Sequence, residues 1–536
     1  MSVTFDAEKK IWYGPTKEYT YGNLGVAEVI FTFLKNNPEH VAQISDDTGK
    51  VYTSKAILKA AISFAQVLKA KNVGKNDNVL SLMDNHHYMM PAWLGVTFAG
   101  AVLCPFAMTD NSVKEEISDI VDQVQPKIFI TSRLDLVDYF KSIFKNLNLD
   151  CPIYIYENTI DGCHDLKPLL EQDVDIDAFE VPKVENSAKD IVMLTLSSAT
   201  TGKPKLINTT HMQVIAGLPT DFGKVIIAST NKPGWSAENN LAFGCLTQPY
   251  TRVITAKDQT IDEFLELIDR HKVNIVSIKP KDIYAAIRSP TIKTVDLSHL
   301  KMVGSSGQHL STKIADEFQS YMTGGTVVNV YGTSDVGIAI TQIVFGKTKP
   351  GSVGQINANV TLRIVSESGE NLGVNEMGEI YVKCNVPFAG YYKNEKMTKE
   401  ALDEEGFYRT ADIGYVDAEG NVFLVDRKKF LISYGGEFLN QSEIEKIVLE
   451  HVKGVEAVCV VDVEHSEYNV IPIICIIPEK GVTLNEQEII DTVHKNYNRK
   501  FYTKVFFVDD MPMTLSGKFK KYMVRDQILK MNNGKI

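Results

Sequence analysis

Paired cysteines and an excess of basic residues are both missing from this sequence. The seven cysteines of the 536-residue chain are scattered, odd in number and include no C-x-x-C pair. This pattern favours reduced thiols over a disulfide framework or a zinc site. The net charge is −11, whereas proteins that bind nucleic acid usually present a basic face. We therefore expect no nucleic-acid partner, and any phosphate binding must depend on local groups.

Targeting and membrane signals are also scarce. The N-terminus is polar and acidic, unlike a signal peptide, and the C-terminus lacks the peroxisomal S-K-L address. The long apolar run at 89–108 is interrupted by Pro91, Gly100 and Pro105. It predicts a buried helix, a glycine turn and a short buried strand rather than a membrane span. We expect a cytoplasmic protein with no transmembrane span, as a monomer or a weak dimer.

Helix-like and strand-like segments alternate along most of the chain, which is too long for a single core. A helix over 262–271 followed by a strand over 274–278 is one such unit. Repeated units of this kind predict layered α/β subdomains with largely parallel sheets, and a β-rich subdomain follows from about 350 to 425. The fold is therefore predicted as α/β, with a large N-terminal domain (1–426) and a small, mobile α+β C-terminal domain (427–536).

The stretch S-S-A-T-T-G-K-P-K-L at 197–206 follows an apolar strand and has the composition of a phosphate loop. It does not fit G-x-x-x-x-G-K-[ST], because the first glycine is absent and a proline follows the lysine. Hydroxyl and backbone donors can bind phosphate oxygens, and lysines add positive charge. The alternative is a surface loop with ordinary lysines. The candidate phosphate contacts are Ser197, Ser198, Thr200, Thr201, Gly202 and Lys205.

A second stretch, V-N-V-Y-G-T-S-D-V-G at 328–337, places polar groups directly after a predicted strand. Tyr331 could stack on a base, and Ser334 could donate a hydrogen bond to a phosphate. Asp335 is a plausible oxygen ligand for Mg²⁺. The alternative is a strand-ending turn with Asp as a cap.

Two more stretches add a carboxylate and cations. Residues 406–429 predict a hairpin in which Asp412 is half-buried and needs partners, such as the two hydroxyls of a ribose. Arg427 suits a sugar or a phosphate. In P-M-T-L-S-G-K-F-K-K at 512–521, Lys518 follows a tight turn on a mobile, exposed element and could neutralise charge on a phosphate or carboxylate. The alternatives are a buried structural carboxylate and a solvated lysine.

These four stretches, in this order, resemble the adenylate-forming superfamily. It includes acyl-CoA and aryl-CoA synthetases, insect luciferases and peptide-synthetase adenylation domains. Its patterns S-S-G-T-T-G-x-P-K-G, Y-G-x-T-E, Y-R-T-G-D, D-R-x-K and P-x-T-x-x-G-K each have a close counterpart here, and K-P-G-S-V-G (349–354) and G-Y-Y-K-N (390–394) match as well. The early W-Y-G-P and the undivided length resemble the insect synthetase and luciferase branch, which includes glow-worm-type luciferases.

The resemblance implies an ATP- and Mg²⁺-dependent enzyme that converts a fatty, aryl or luciferin-like acid to an acyl-adenylate and releases pyrophosphate. The adenylate would then be transferred to coenzyme A or, in a luciferase, oxidised by O₂ with light emission. By this resemblance Asn329 and Tyr331 contact the adenine, Asp412 and Arg427 the ribose, and Ser334 the α-phosphate, with Gly332 as a further nucleotide contact. Thr200, Thr201 and Lys205 bind the outer phosphates, Asp335 holds Mg²⁺, and Lys518 lies between the acyl carboxylate and the phosphate.

Several positions depart from the family patterns. Alanine or leucine replaces glycine at Ala199, Leu206 and Ala411, and Asp335 replaces glutamate. Ala199 is harmless where its φ is negative and costly where it is positive. These changes motivate the alternative of a degenerate member that binds nucleotide or ligand without catalysis, although the charged contacts are retained.

The acid pocket is less clearly marked in the sequence. Trp235 is the expected counterpart of the family's aromatic gate. The stretch G-S-S-G-Q-H-L-S at 304–311 resembles its pocket-lining segment, with Gly307, Gln308 and His309 as candidates. His309 is either a pocket residue or a solvated turn residue.

Overall fold

The computed structural model describes most of the chain, and all structural statements below refer to that part. The described residues are 2–19, 21–108, 114–156, 160–197, 205–217, 222–307, 310–337, 339–342, 349–434, 437–497, 499–514 and 518–532.

The first α/β sheet is parallel except at one edge, where two strands form an antiparallel pair. Apolar side chains from its strands and covering helices fill the core on both faces, as parallel sheets require. The strands, in spatial order, are Lys205–Thr210, Ile191–Ser197, Val102–Pro105, Asn78–Leu82, Ile128–Thr131, Ile153–Ile155 and His164–Asp165.

The second α/β sheet is also parallel apart from its last pair. Three neighbouring strands of this sheet end at Ile278, Ser306 and Val330. Ligands of parallel α/β sheets bind at the carboxyl ends of the strands, so this edge is the natural place for a site. The strands, in spatial order, are Thr326–Val330, Met302–Ser306, Ile275–Ile278, Val225–Ser229, Tyr250–Ile254, Val41–Ser45 and Val51–Thr53.

The third sheet is antiparallel and contains the predicted hairpin, which turns between Val416 and Val422. Its main strands, in order, are Thr4–Asp6, Ile11–Tyr13, Val360–Val365, Gly378–Cys384, Tyr408–Val416 and Val422–Arg427, with Asn371–Leu372 paired to Val360–Val365. A separate antiparallel pair, Thr341–Gln342 and Gln355–Ile356, precedes the strand Val360–Val365 in the chain.

The C-terminal elements form a small α+β unit with its own apolar cores. Its strands are Val455–His465, Asn469–Pro478 and Lys504–Phe507, preceded by the hairpin Leu431–Tyr434 and Glu437–Asn440. The mixed α/β fold with a large N-terminal and a small C-terminal domain is confirmed.

The helices cover the parallel sheets and both faces of the C-terminal sheet. Many begin at a side-chain cap, such as Thr260, whose hydroxyl accepts a hydrogen bond from the backbone of Glu263. The α-helices are Val26–Asn36, Ser54–Ala70, Met89–Phe98, Lys114–Val124, Val137–Asn146, Lys167–Leu170, His211–Ala216, Ser236–Gly244, Ile261–Arg270, Pro280–Arg288, Thr312–Gln319, Glu395–Ala401, Gln441–His451, Glu486–Asn496 and Lys521–Met531, with short 3₁₀ turns at Leu134–Leu136, Pro290–Lys293 and Lys428–Phe430.

The apolar run at 89–108 folds as its sequence predicts. A fully buried helix over Met89–Phe98 leads through Gly100, at a φ of 78°, to the buried strand Val102–Pro105. A φ in this left-handed region favours glycine. Among the described helices, none combines the length and the apolarity that crossing a bilayer demands.

Candidate active site

Asp412 forms the buried anionic centre of the site. It pairs in register with Arg427 across the hairpin, and Arg427 Nε lies 3.0 Å from Asp412 Oδ1. The Tyr331 hydroxyl donates to Asp412 Oδ2 at 2.8 Å from the end of the second α/β sheet. Burial raises the pKa of Tyr331 well above its usual value, so this hydroxyl stays protonated. Strand pairing and sheet edge thus bring together three residues that are distant in sequence.

Asp335 is held by a tyrosine pair. The Tyr391 hydroxyl donates to Asp335 Oδ1 at 2.7 Å and lies 3.5 Å from the Tyr408 hydroxyl. Burial, reinforced by the charge of Asp335, raises the pKa of both tyrosines, so both stay neutral donors. Lys205 Nζ lies 4.8 Å from the centroid of the Tyr391 ring. Asp335 and Lys205 therefore share one tyrosine.

Cations collect around Asp412. Burial and, to a smaller extent, the Arg427 charge lower the pKa of Lys518 to about 8, with Asp412 opposing the shift. Burial also lowers the pKa of Lys429 to about 8, helped by the charges of Arg427, Lys518 and Lys205. Like charges this close disfavour one another. The four cations therefore outnumber the two nearby carboxylates, Asp412 and Asp335, and leave a net positive region that attracts anions.

Lys518 is half-buried rather than exposed, which corrects the expectation for the turn it follows. Its backbone carbonyl accepts from Thr514 N at 2.7 Å, and its own N–H donates to Thr514 Oγ1 at 3.1 Å. Two residues later, Lys520 is fully buried and pairs with Glu116 of the N-terminal domain at 2.5 Å. Because a buried ion pair fixes geometry when both partners are present, this contact holds the C-terminal unit against the site.

The phosphate loop is partly described. Ser197 ends its strand and pairs in register with Lys205, so residues 198–204 connect two antiparallel strands. Lys205 and Leu206 lie on the second strand rather than in the loop, which corrects the sequence interpretation. Leu206 is buried in the same core as Leu194, so its side chain adds packing where a glycine would leave none. Ser198, Ala199, Thr200, Thr201 and Gly202 lie outside the described residues.

Ser334 and Trp235 lie close together in the site. Ser334 Oγ is 2.8 Å from Ser236 Oγ, and Trp235 directly precedes the helix that begins at Ser236. Asn329 is half-buried on the strand that leads to Tyr331. Gly332 forms an isolated β-bridge with Ala339. Gly307 follows the end of its strand with a φ of 88°. Gln308 and His309 lie outside the described residues.

Three site residues had no assigned role in the sequence analysis. Tyr391 and Tyr408 belong to the matched stretches G-Y-Y-K-N and Y-R-T-A-D, and Lys429 belongs to D-R-K-K. The motifs marked these residues as part of the family pattern, but their contacts could not be predicted because the partner residues come from other parts of the chain.

Ala411 has a φ of 59°, in the left-handed region, beside the register shift that precedes Asp412. An L-residue costs about 1 kcal/mol there. We expect Ala411→Gly to raise the unfolding temperature by about 1 °C, measured by scanning calorimetry. Ala411→Val is the matched control and should lower it, since a β-branched residue tolerates this φ least. A glycine variant less stable than the parent would contradict the inference that the positive φ strains the backbone at Ala411.

Comparison with known proteins places this chain in a family. A family model described as AMP-binding enzyme matches residues 30–392, and one described as AMP-binding enzyme C-terminal domain matches residues 443–518. A probable 4-coumarate–CoA ligase of Dictyostelium discoideum is 28% identical, over 94% of this chain and 95% of its own. A 4-coumarate–CoA ligase-like protein of Arabidopsis thaliana is 29% identical, over 95% of both chains.

Solved structures share the fold. An anthranilate CoA ligase in complex with anthranoyl-AMP has a TM-score of 0.83 at 18% identity, covering 95% of this chain and 98% of its own. A luciferase-like enzyme from the nonluminescent mealworm Zophobas morio has a TM-score of 0.70 at 22% identity, covering 78% of this chain and 98% of its own. The chain belongs to the AMP-binding enzyme family and is an adenylate-forming enzyme.

Proposed function

We propose that this chain is an acid–CoA ligase. It activates a carboxylic acid with ATP, releasing pyrophosphate and forming an acyl-adenylate, and then transfers the acyl group to the thiol of coenzyme A. A carboxylate is a poor electrophile, and the mixed anhydride with AMP makes its carbonyl carbon open to attack by a thiol. The relatives named as CoA ligases support this activity and suggest an aryl acid.

The single observation that carries the proposal is the cation cluster around Asp412. Lys205, Arg427, Lys429 and Lys518 influence one another or Asp412 electrostatically. A triphosphate and a carboxylate together bring several negative charges, which would relieve the mutual repulsion of these cations. A site for a neutral ligand would gain nothing from such a cluster.

Each residue then has a role in the first step. Tyr331 and Asn329 would bind the adenine, while Asp412 and Arg427 would hold the ribose. Ser334 would donate to the α-phosphate, where the acid attacks, and Lys205 would bind the departing phosphates. Lys518 would neutralise charge that develops between the acid and the α-phosphate.

Asp335 fits a magnesium site of the usual kind. Mg²⁺ commonly takes one or two protein carboxylates and fills its other positions with water and substrate phosphates. Asp335 Oδ1 accepts from Tyr391, which orients the carboxylate. Within the described ranges no cluster of three or more His, Cys, Asp or Glu side chains is placed to hold a metal alone. When bound with ATP, Mg²⁺ would offset phosphate charge.

In this proposal residues 1–426 carry most of the ATP and acid contacts, Arg427 completes the ribose site at the boundary, and residues 427–536 move between the two steps. Lys518 is needed in the site only for adenylation. The buried pair Glu116–Lys520 holds it there and would have to open before the C-terminal domain could turn.

A second outcome for the adenylate is oxidation by O₂ with light emission, as in the insect luciferase branch. The luciferase-like mealworm structure, at 22% identity, shares the fold, whereas relatives matched over 94–95% of this chain are named as CoA ligases. Transfer to coenzyme A is therefore the favoured outcome.

The test is incubation with ATP, Mg²⁺ and a panel of aryl and fatty acids, with pyrophosphate, CoA thioester and light measured separately. We expect acid-dependent pyrophosphate release and a thioester. Light in place of thioester would select the second candidate. ATP binding without pyrophosphate release for any acid would instead indicate a degenerate, non-catalytic member.

A further inference from the structure

A lysine outside the cation cluster lies at the same edge of the second α/β sheet. Lys279 directly follows the strand Ile275–Ile278. The adjacent strand pairs Ile278 with Ser305, and the next pairs Ser305 with Asn329, the strand that leads to Tyr331. Lys279 is therefore two strands from the nucleotide site, along the carboxyl edge where ligands of such sheets bind.

Lys279 lies against the predicted acid gate. Its Nζ is 4.0 Å from the centroid of the Trp235 ring. Trp235 precedes Ser236, whose hydroxyl contacts Ser334 beside Asp335. Both Lys279 and Trp235 are half-buried, so each retains an accessible surface. Trp235 and the adjacent Ser236 thus connect the lysine to Ser334 of the nucleotide site.

The ammonium of Lys279 has an aromatic partner but, among the described residues, no carboxylate within ion-pair distance. The surrounding acids are engaged elsewhere: Glu238 pairs with Arg252, Asp282 accepts from the Thr230 hydroxyl at 2.7 Å, and Asp258 pairs with Lys232 at 2.9 Å. A charge removed from water without a charged partner is costly, and burial lowers the pKa of Lys279 to about 8, with Asp282 opposing and Lys281 and Lys232 adding.

Lys279 is also electrostatically separate from the ATP-binding cluster. The charges that act on it come from Asp282, Lys281, Lys232 and Glu238. Those that act on Lys518 come from Arg427 and Asp412. The site thus offers two cationic positions, one at the nucleotide and one against the Trp235 ring. An acid with one carboxylate uses only the first.

We propose that Lys279 binds a second anionic group of the acid, so that the preferred substrate class is a dicarboxylic acid. One carboxylate is activated at Ser334 and Lys518, and the other forms a charge-assisted hydrogen bond with Lys279 while the intervening chain or ring lies along Trp235. This inference rests on the proposed ligase function and adds the chemical class of its acid.

The test compares each dicarboxylic acid with its own monomethyl ester, which keeps the shape and removes one charge. The probes are 4-carboxycinnamic acid, with each of its two monomethyl esters, and adipic acid, with its monomethyl ester. We expect kcat/KM for the diacid to exceed that for the monoester by roughly 10- to 100-fold, the range of one charge-assisted hydrogen bond. Lys279→Met should abolish this preference, and Lys279→Arg should retain most of it.

The matched control is Lys281→Met, which removes an exposed lysine two residues away and should leave the preference unchanged. Calorimetric binding of the same acids, with ATP but without Mg²⁺ so that no adenylate forms, decides the question independently of turnover. Equal binding of diacid and monoester in both pairs, or equal losses for both with Lys279→Met, would overturn the assignment of Lys279. Absence of pyrophosphate release with every acid would contradict the ligase function instead, while the binding comparison would still report on Lys279.

Discussion

Replacing Lys518 with alanine is expected to slow adenylation by roughly 10²- to 10³-fold, the usual effect of removing one group that stabilises transition-state charge. The half-buried Lys518 is held beside Arg427 and Asp412, so its ammonium faces the charge that develops as the acid attacks the α-phosphate. The measurement is single-turnover formation of acyl-adenylate.

The same variant should convert preformed acyl-adenylate to the CoA thioester at nearly the parent rate, because Lys518 would leave the site for that step. Lys480→Ala, at an exposed lysine of the C-terminal unit, is the control and should affect neither step. Equal slowing of both steps by Lys518→Ala would refute a role confined to adenylation.

Replacing Asp412 with alanine is expected to weaken ATP binding by roughly 10- to 100-fold, since charge-assisted hydrogen bonds contribute about 1.5–3 kcal/mol each. The carboxylate is buried, anchors Arg427 at 3.0 Å and accepts from Tyr331. Its loss removes one proposed ribose contact and frees the arginine that provides the other. Calorimetric titration with ATP measures the effect.

A destabilised hairpin could imitate that result, so a second buried carboxylate on the same hairpin is the control. Asp417 pairs with Lys349 at 2.8 Å and accepts from Asn421, away from Asp412. Asp417→Asn should lower thermal stability and leave ATP affinity nearly unchanged. A folded Asp412→Ala protein with the parent's ATP affinity would count against the ribose assignment.

Local pattern sufficed to predict the elements that carry the site. The helix predicted over 262–271 runs from Ile261 to Arg270, and the strand predicted over 274–278 runs from Ile275 to Ile278. The hairpin that holds Asp412 was also correctly anticipated. In each case the apolar periodicity and the turn residues lie within a single short segment, so no distant contact is needed to recognise the element.

Contacts between distant segments could not be predicted in this way. Glu116 and Lys520 are 404 residues apart in the chain, and neither residue type signals a buried partner. Tyr391 contacts Asp335 across 56 residues of chain. The half-buried state of Lys518 has the same origin, since a glycine turn by itself indicates an exposed lysine.

Backbone conformation was the other feature that the sequence did not predict. Ala411 was recognised as a replacement of a family glycine, but only the structure gives its φ of 59°. The sequence likewise marked Leu206 as a departure, and its burial in the core supplies the physical reason that the replacement is accommodated.

Acid-dependent exchange of labelled pyrophosphate into ATP tests the proposed chemistry most directly, because exchange requires reversible formation of the acyl-adenylate. We predict exchange that needs both Mg²⁺ and a carboxylic acid, is fastest with a dicarboxylic acid, and falls by roughly 10²-fold or more in Lys518→Ala. A protein that binds ATP but shows no exchange with any acid of the panel would contradict the proposed adenylation.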